Sequence, residues 1–236
     1  MNTNCSVAVI PARGGSKRLP RKNIIDFLGK PIIAYTIEAA LESELFDAVI
    51  VSTEDTEIAE ISMRYGARVH LRPAYLAADD VGVVDVCLDL LNHEGQKGRA
   101  FCRMACLYPT APLRNAEDIR RVMALLKPGF CDFSMAVCAY SHPPHQALMQ
   151  KDDGSLVPFL PYWVNKRSQE VPKLVVDNGS TYAVSVPAFR KIRSFYGPGL
   201  RSHFMPRERS VDIDEASDLA LARYFAGQSL NKSRGL

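Results

Sequence analysis

The sequence predicts an α/β domain with a mostly parallel sheet covered by helices on both faces. Three observations predict it. Short apolar runs alternate with amphipathic stretches along most of the chain, the order expected of repeated strand–helix units. The first apolar run, Val7-Ala-Val-Ile10, passes directly into a glycine-rich basic loop. The 236 residues, 47% of them hydrophobic, suit one domain with a full core.

The elements follow in order. A first strand ends at Ile10, and Pro31 opens a helix to about Ser43 with Ile33, Ile37, Ala40 and Leu41 at helical spacing. Residues 48–52 read as a strand, and residues 56–65 as a helix stopped by Gly66. A short strand over 68–71 leads into the loop Arg72-Pro-Ala-Tyr-Leu-Ala-Ala-Asp-Asp80. Residues 83–93 read as helix and 100–107 as a continuous apolar strand. The rigid loop Tyr108-Pro-Thr-Ala-Pro-Leu-Arg114 precedes a helix over 116–126 that Asn115 can cap. Residues 133–138 form another strand. The alternation then breaks over 139–176, which hold five prolines and the only tryptophan, Trp163. This stretch reads as an excursion from the sheet, an oligomer contact or a lid. Residues 180–186 return as a strand, 215–226 form the closing helix, and the polar tail is expected to fray. The expected organisation is one domain over 1–227 with a tail over 228–236.

Composition excludes several classes. The net charge of +3 is small and its basic excess sits largely in one loop, so nucleic-acid binding is not expected. No apolar run approaches the ~20 residues of a membrane span, and the start of the chain lacks a signal-peptide pattern, so the expected location is the cytoplasm. The six cysteines show no C-x-x-C spacing and mostly sit in apolar runs, as small buried hydrophobes of a reducing compartment do. Cys102 and Cys106 are expected on one face of a strand, too far apart to pair. His142 and His145 flank two prolines and have no third ligand beside them.

The loop Ile10-Pro-Ala-Arg-Gly-Gly-Ser-Lys-Arg-Leu-Pro-Arg-Lys-Asn23 carries the chemistry. It places Gly14, Gly15 and five cations (Arg13, Lys17, Arg18, Arg21, Lys22) in one turn after a buried strand. Backbone N–H groups approach an anion closely where Cβ is missing, and the cations suit a triphosphate. The loop is neither a Walker loop nor a dinucleotide fingerprint, because Leu19-Pro20 stands where that fingerprint needs its helix. A second run, Ser210-Val-Asp-Ile-Asp-Glu215, alternates apolar and acidic residues. In an extended strand Asp212 and Asp214 share a face and can share one magnesium ion, whose remaining positions go to water and phosphates. Alternatively, Asp214 is simply the N-cap of the closing helix. Together the two runs sketch a nucleotidyl transfer that depends on alignment and charge rather than a protein nucleophile.

These residues resemble a known family. The loop of residues 10–23, Arg72-Pro-Ala-Tyr-Leu-Ala, Thr110-Ala-Pro-Leu-Arg114, Arg167-Ser-Gln169, Asn178-Gly-Ser180 and Asp212-Ile-Asp214 occur in the order found in the acylneuraminate cytidylyltransferases, or CMP-sialic acid synthetases. The similarity spans residues 7–222. It implies a single Rossmann-like nucleotidyltransferase domain whose 139–176 excursion serves dimerisation and sugar binding. It also implies that CTP and a nine-carbon 2-keto sugar acid give the CMP-sugar acid and pyrophosphate, with Mg2+. By that resemblance Arg13, Gly14, Gly15, Ser16, Lys17, Lys22 and Asn23 bind the nucleotide, with Lys22 on its phosphates. Arg72, Ala77 and Asp79 surround the cytosine, Asp212 and Asp214 bind the metal, and both act in catalysis with Lys22. Tyr108, Thr110, Arg167, Gln169, Asn178 and Tyr182 face the sugar, with the 167–169 segment able to reach a partner subunit's site in a homodimer.

Arg167 has its own physical case, since a guanidinium offers a sugar-acid carboxylate a bidentate fork; a dimer salt bridge is the alternative. Asn178-Gly179 is open to a plain tight-turn reading. Tyr108, residues 165–169 and Asp177 look more like the pseudaminic acid branch, whereas Asn178-Gly-Ser180 and Val211-Asp-Ile-Asp214 also fit the sialate branch. An octulosonate or sugar 1-phosphate acceptor, or a non-catalytic nucleotide-binding dimer, are the competing expectations.

Overall fold

A computed structural model describes residues 5–127, 129–167 and 169–233. The chain runs β1 (Ser6–Pro11), a small hairpin of β2 (Asp26–Phe27) and β3 (Lys30–Pro31), α1 (Ile32–Glu42), β4 (Ala48–Thr53) and α2 (Thr56–Arg64). It continues through β5 (Arg68–Leu71), α3 (Val83–Gln96), β6 (Arg103–Leu107), α4 (Ala116–Ala124) and β7 (Phe133–Cys138). A second hairpin, β8 (Leu148–Gln150) with β9 (Leu156–Pro158), lies in the excursion; then come β10 (Val176–Ser185), α5 (Val186–Ile192), β11 (Arg201–Phe204) and α6 (Ala216–Ser233).

Seven strands form the main sheet in the order β11-β7-β10-β6-β1-β4-β5. All neighbours are parallel except β10, which runs antiparallel to β6 and β7. A parallel sheet must be buried on both faces, and two separate cores do this. Ile33 and Ile37 of α1, Ile58 of α2 and Ile119 of α4 cover Ala8, Ile10 and Val51. On the other face Leu90 of α3 and Phe189 of α5 cover Val7, Val9 and Met104.

Local signals account for the helix starts. The Asp55 side chain accepts from Ile58 N at 3.0 Å, and Asn115 and Asp118 form a reciprocal capping box on α4. Pro31 stands just before α1, and Gly66, at φ +90°, follows α2.

Several expectations are corrected. Leu41 belongs to α1 but is exposed, because it lies on the helix face turned from the sheet. Cys102 precedes β6 and is exposed, so it does not share a strand with Cys106; all six cysteines are free. The returning strand begins four residues earlier than read, at Val176, because a bulge lets it continue past Asn178-Gly179. Helix α5 and strand β11 escaped the sequence reading, and α6 continues past residue 226 to Ser233. Residues 211–214 are not in a strand of the sheet. A single backbone bond, Ile213 N to Thr110 O at 2.9 Å, ties them to the β6 side. Their alternation survives nonetheless: Val211 and Ile213 pack with Phe27, Ile32 and Leu219 in a third core, which turns Asp212 and Asp214 the other way. No described helix is long and apolar enough to cross a membrane.

Candidate active site

Strands β4 and β6 flank β1 on opposite sides, so the chain reverses its direction of travel across the sheet at β1. Open α/β sheets bind ligands outside the carboxyl ends of the strands at such a point. A cleft of ≈ 470 Å3 opens there, between the basic loop after β1 and the Tyr108-Pro109-Thr110 turn after β6.

The basic loop is pinned from behind. Asn23 Nδ2 donates to Arg13 O at 2.8 Å, closing the loop on itself. Glu54, at the carboxyl end of β4, accepts from Gly14 N at 2.7 Å and from Arg72 Nη2 at 2.8 Å and Nε at 3.2 Å. Asp55 lies against the Gly14 Cα, where a Cβ would overlap its carboxylate, and it receives Arg21 from the same loop. A side chain at Gly14 would therefore have to displace Asp55, and the Gly14 N–H is directed to Glu54. A Cβ at Gly15 would meet nothing, and the residue is exposed.

The loop's other cations meet acids across the cleft. Arg13 and Lys17 reach Asp79 at 2.8 and 2.5 Å. Lys22 and Arg18 each reach Asp214 at 2.7 Å, one on each carboxylate oxygen. Asp214 therefore does not cap α6; the Asp218 carboxylate instead accepts from the backbone N–H groups of 214 and 215 at 2.9 and 3.0 Å. Partial burial would raise the Asp214 pKa, but Lys22 and Arg18 more than offset it and hold the carboxyl below its ordinary value. Asp212 goes the other way. Burial pushes it up and neighbouring Asp214 adds to that, against the Thr110 hydroxyl. Its Oδ1 is buried with no hydrogen-bond partner among the described residues.

The match to known proteins decides the family. Residues 7–142 match the family described as cytidylyltransferase. The chain belongs to that family. This cytidylyltransferase is 34% identical over 222 residues to the pseudaminic acid cytidylyltransferase of Campylobacter jejuni, covering 92% of this chain and 94% of that protein. It is 35% identical over 220 residues to the CMP-N,N'-diacetyllegionaminic acid synthase of Legionella pneumophila, covering 91% and 93%. Its fold matches the structure of CMP:2-keto-3-deoxy-manno-octonic acid synthetase complexed with CTP, with a TM-score of 0.72, 17% identity and coverage of 95% and 99%.

The cleft of this cytidylyltransferase gathers most of the expected nucleotide residues: Arg13, Ser16, Lys17, Lys22, Asn23, Arg72 and Asp79 all line it. Ala77 belongs to the 3-10 turn Ala74–Ala77, and it is Leu76 and Ala78 that contribute to the lining. Of the sugar-facing set, Tyr108 and Thr110 line the cleft. Tyr182 is buried behind Tyr108, with ring centroids 5.5 Å apart. Asn178 is buried too, donating to Ser210 Oγ at 3.0 Å and accepting from Ser180 Oγ at 2.8 Å, which spends its amide on holding the bulge. Arg167 and Gln169 are exposed and do not line this chain's cleft. Sequence reasoning missed Glu54, although its position directly after a buried strand that borders β1 was a usable signal.

Two carboxylates on one side of an irregular segment, one with an unpartnered buried oxygen, fit a divalent cation in part. Among the described residues no group of three His, Cys, Asp or Glu can hold a metal, so the protein would supply only two side-chain ligands. Magnesium tolerates this, because it usually keeps water and substrate phosphates in its remaining positions.

Proposed function

We propose that this enzyme transfers the cytidylyl group of CTP to a nonulosonic sugar acid, giving the CMP-sugar acid and pyrophosphate. The observation that carries the reading is the cleft at the reversal point of the sheet, where four loop cations face two carboxylates. The relatives acting on pseudaminic and legionaminic acids support the acceptor class. The triphosphate lies along the loop cations, which exchange Asp79 and Asp214 for phosphate oxygens. Asp212 and Asp214 would hold Mg2+, which when bound neutralises charge on the phosphates. The acceptor's anomeric hydroxyl attacks the α-phosphorus, the bond to pyrophosphate breaks, and the hydroxyl loses its proton. The cations' role is alignment and charge stabilisation. Because the reaction consumes CTP, we assign it to the cytoplasm.

Pyrophosphate release should be measured with CTP, magnesium and a panel of N-acetylneuraminate, legionaminate, pseudaminate and octulosonate. Release with one nonulosonate is expected; release only with octulosonate, or none despite CTP binding, overturns the reading. Tyr108 and Asp177 favour pseudaminate as the preferred acid within the panel.

Lys22→Ala should raise the KM for CTP about tenfold or more, the value of one charged hydrogen bond, and leave that of the acid nearly unchanged. The opposite pattern in steady-state kinetics would displace the triphosphate from this loop.

The excursion exposes Leu148, Met149, Leu156, Phe159 and Tyr162, and we assign it to a homodimer contact that carries Arg167 to the partner subunit's acceptor site. Arg167→Ala should weaken acid binding by roughly 10–100-fold, with CTP binding retained. Equal loss of both in calorimetric titrations would make Arg167 a structural residue.

A further inference from the structure

The bulge in β10 brings Asp212 and a tyrosine cluster to one place. Asp177 Oδ2 accepts from the Tyr182 hydroxyl at 2.8 Å and from the Tyr196 hydroxyl at 2.6 Å. Asp177 Oδ1 accepts from Gly179 N at 3.0 Å. Two residues of bulge away, Gly179 adopts φ +65° and presses against Asp212, whose Oδ2 would lie 2.6 Å from an added Cβ. Tyr182 in turn backs Tyr108, which lines the cleft, and packs on Phe195 at 4.9 Å.

Asp177 forms no ion pair among the described residues: its three donors are two neutral hydroxyls and one amide. A carboxylate bound in this way makes short, directional bonds to its donors. Bulges commonly re-aim side chains beside an active site, and here the bulge aims one carboxylate at two rings. Tyr196 is largely exposed, so nothing in the core holds its ring; the bond to Asp177 does. That bond also pushes the Tyr196 hydroxyl up to about 12, so it stays a donor at neutral pH.

Resting on the acceptor reading above, we propose that Asp177 is a positioning residue of the acceptor subsite, orienting Tyr182 and Tyr196 so that the aromatic wall headed by Tyr108 fits the sugar acid. The same unpaired negative charge selects the acid's orientation: the substrate carboxylate turns away from Asp177. The nucleotide half of the cleft is built by Glu54, Asn23 and the loop cations and does not depend on Asp177.

The test is steady-state kinetics of D177N with the acid that the wild type uses. The amide keeps the shape but has one accepting oxygen where the carboxylate uses two. Its NH2 must therefore face either the Gly179 N–H or the two hydroxyls, and the carboxylate's charge is lost from both tyrosine bonds. Expected is a rise of about tenfold in the KM for the acid, with the KM for CTP within about twofold. In a double-mutant cycle, Y196F added to D177N should cost little beyond D177N alone, because both remove the same bond. Calorimetric CTP affinity, equal to wild type, shows that D177N is folded. An unchanged acid KM, a parallel rise in both KM values, or additive effects in the cycle overturn the proposal while the functional reading stands. Wild-type silence across the acid panel overturns the functional reading, and this proposal with it.

Discussion

Asp214→Ala is expected to lower kcat by roughly 100–1,000-fold, the scale of one lost transition-state stabiliser, and Asp212→Ala by a similar factor. The two should differ in everything but rate. Asp214 pairs with Lys22 and Arg18 across the cleft; its removal frees both cations, so CTP affinity without magnesium should hold or rise. Asp212 is largely buried, with its charge opposed by desolvation and one oxygen unpartnered. Leaving such a group unsatisfied is costly, so Asp212→Ala should not lower the melting temperature. Turnover and thermal unfolding, each with magnesium and with a chelator, test both statements. Near-wild-type rates at saturating magnesium would remove the pair from the mechanism.

Arg114→Ala is the largest expected stability change, about 3–5 kcal/mol in denaturant unfolding. Arg114 is 2% exposed. It donates to Ser180 O at 2.8 Å, to Thr36 Oγ1 at 2.6 Å and to Tyr108 O at 3.3 Å. One guanidinium thus ties α1, β10 and the turn that carries Tyr108. Burial lowers its pKa to about 10, with Asp118 opposing the shift, so it remains charged at neutral pH. Arg114→Lys should recover little, because a point charge on a flexible stem cannot serve three acceptors in a plane. A cost below about 1 kcal/mol for Arg114→Ala, far under the buried-group scale, would show that the turn does not depend on it.

Sequence and structure agree where the controlling physics is local. The apolar runs of β1 and β4, the cap at Asn115 and the glycine after α2 are properties of a few adjacent residues. So is the crowding of cations into residues 13–22. The reading slipped where a neighbour distant in sequence overrides the local pattern. Bulge pairing with β7 lets β10 pass through Asn178-Gly179, which locally spells a turn. Residues 211–214 spell a strand, yet they find Thr110 rather than a sheet edge.

By itself, then, the chain's local pattern determined the strand–helix order, the basic loop after β1 and the presence of a paired acid near the end. Tertiary structure alone decided which acid answers which cation. Arg13 meets Asp79 across 66 residues, and Arg18 meets Asp214 across 196. It also decided that Glu54 joins Arg72 to the loop, and that Arg167 stands outside this chain's cleft. The physical reason is the strand order. Placing β1 between β4 and β6 brings the loops after these strands together at their carboxyl ends, and no periodicity read along the sequence encodes which strand lies beside which.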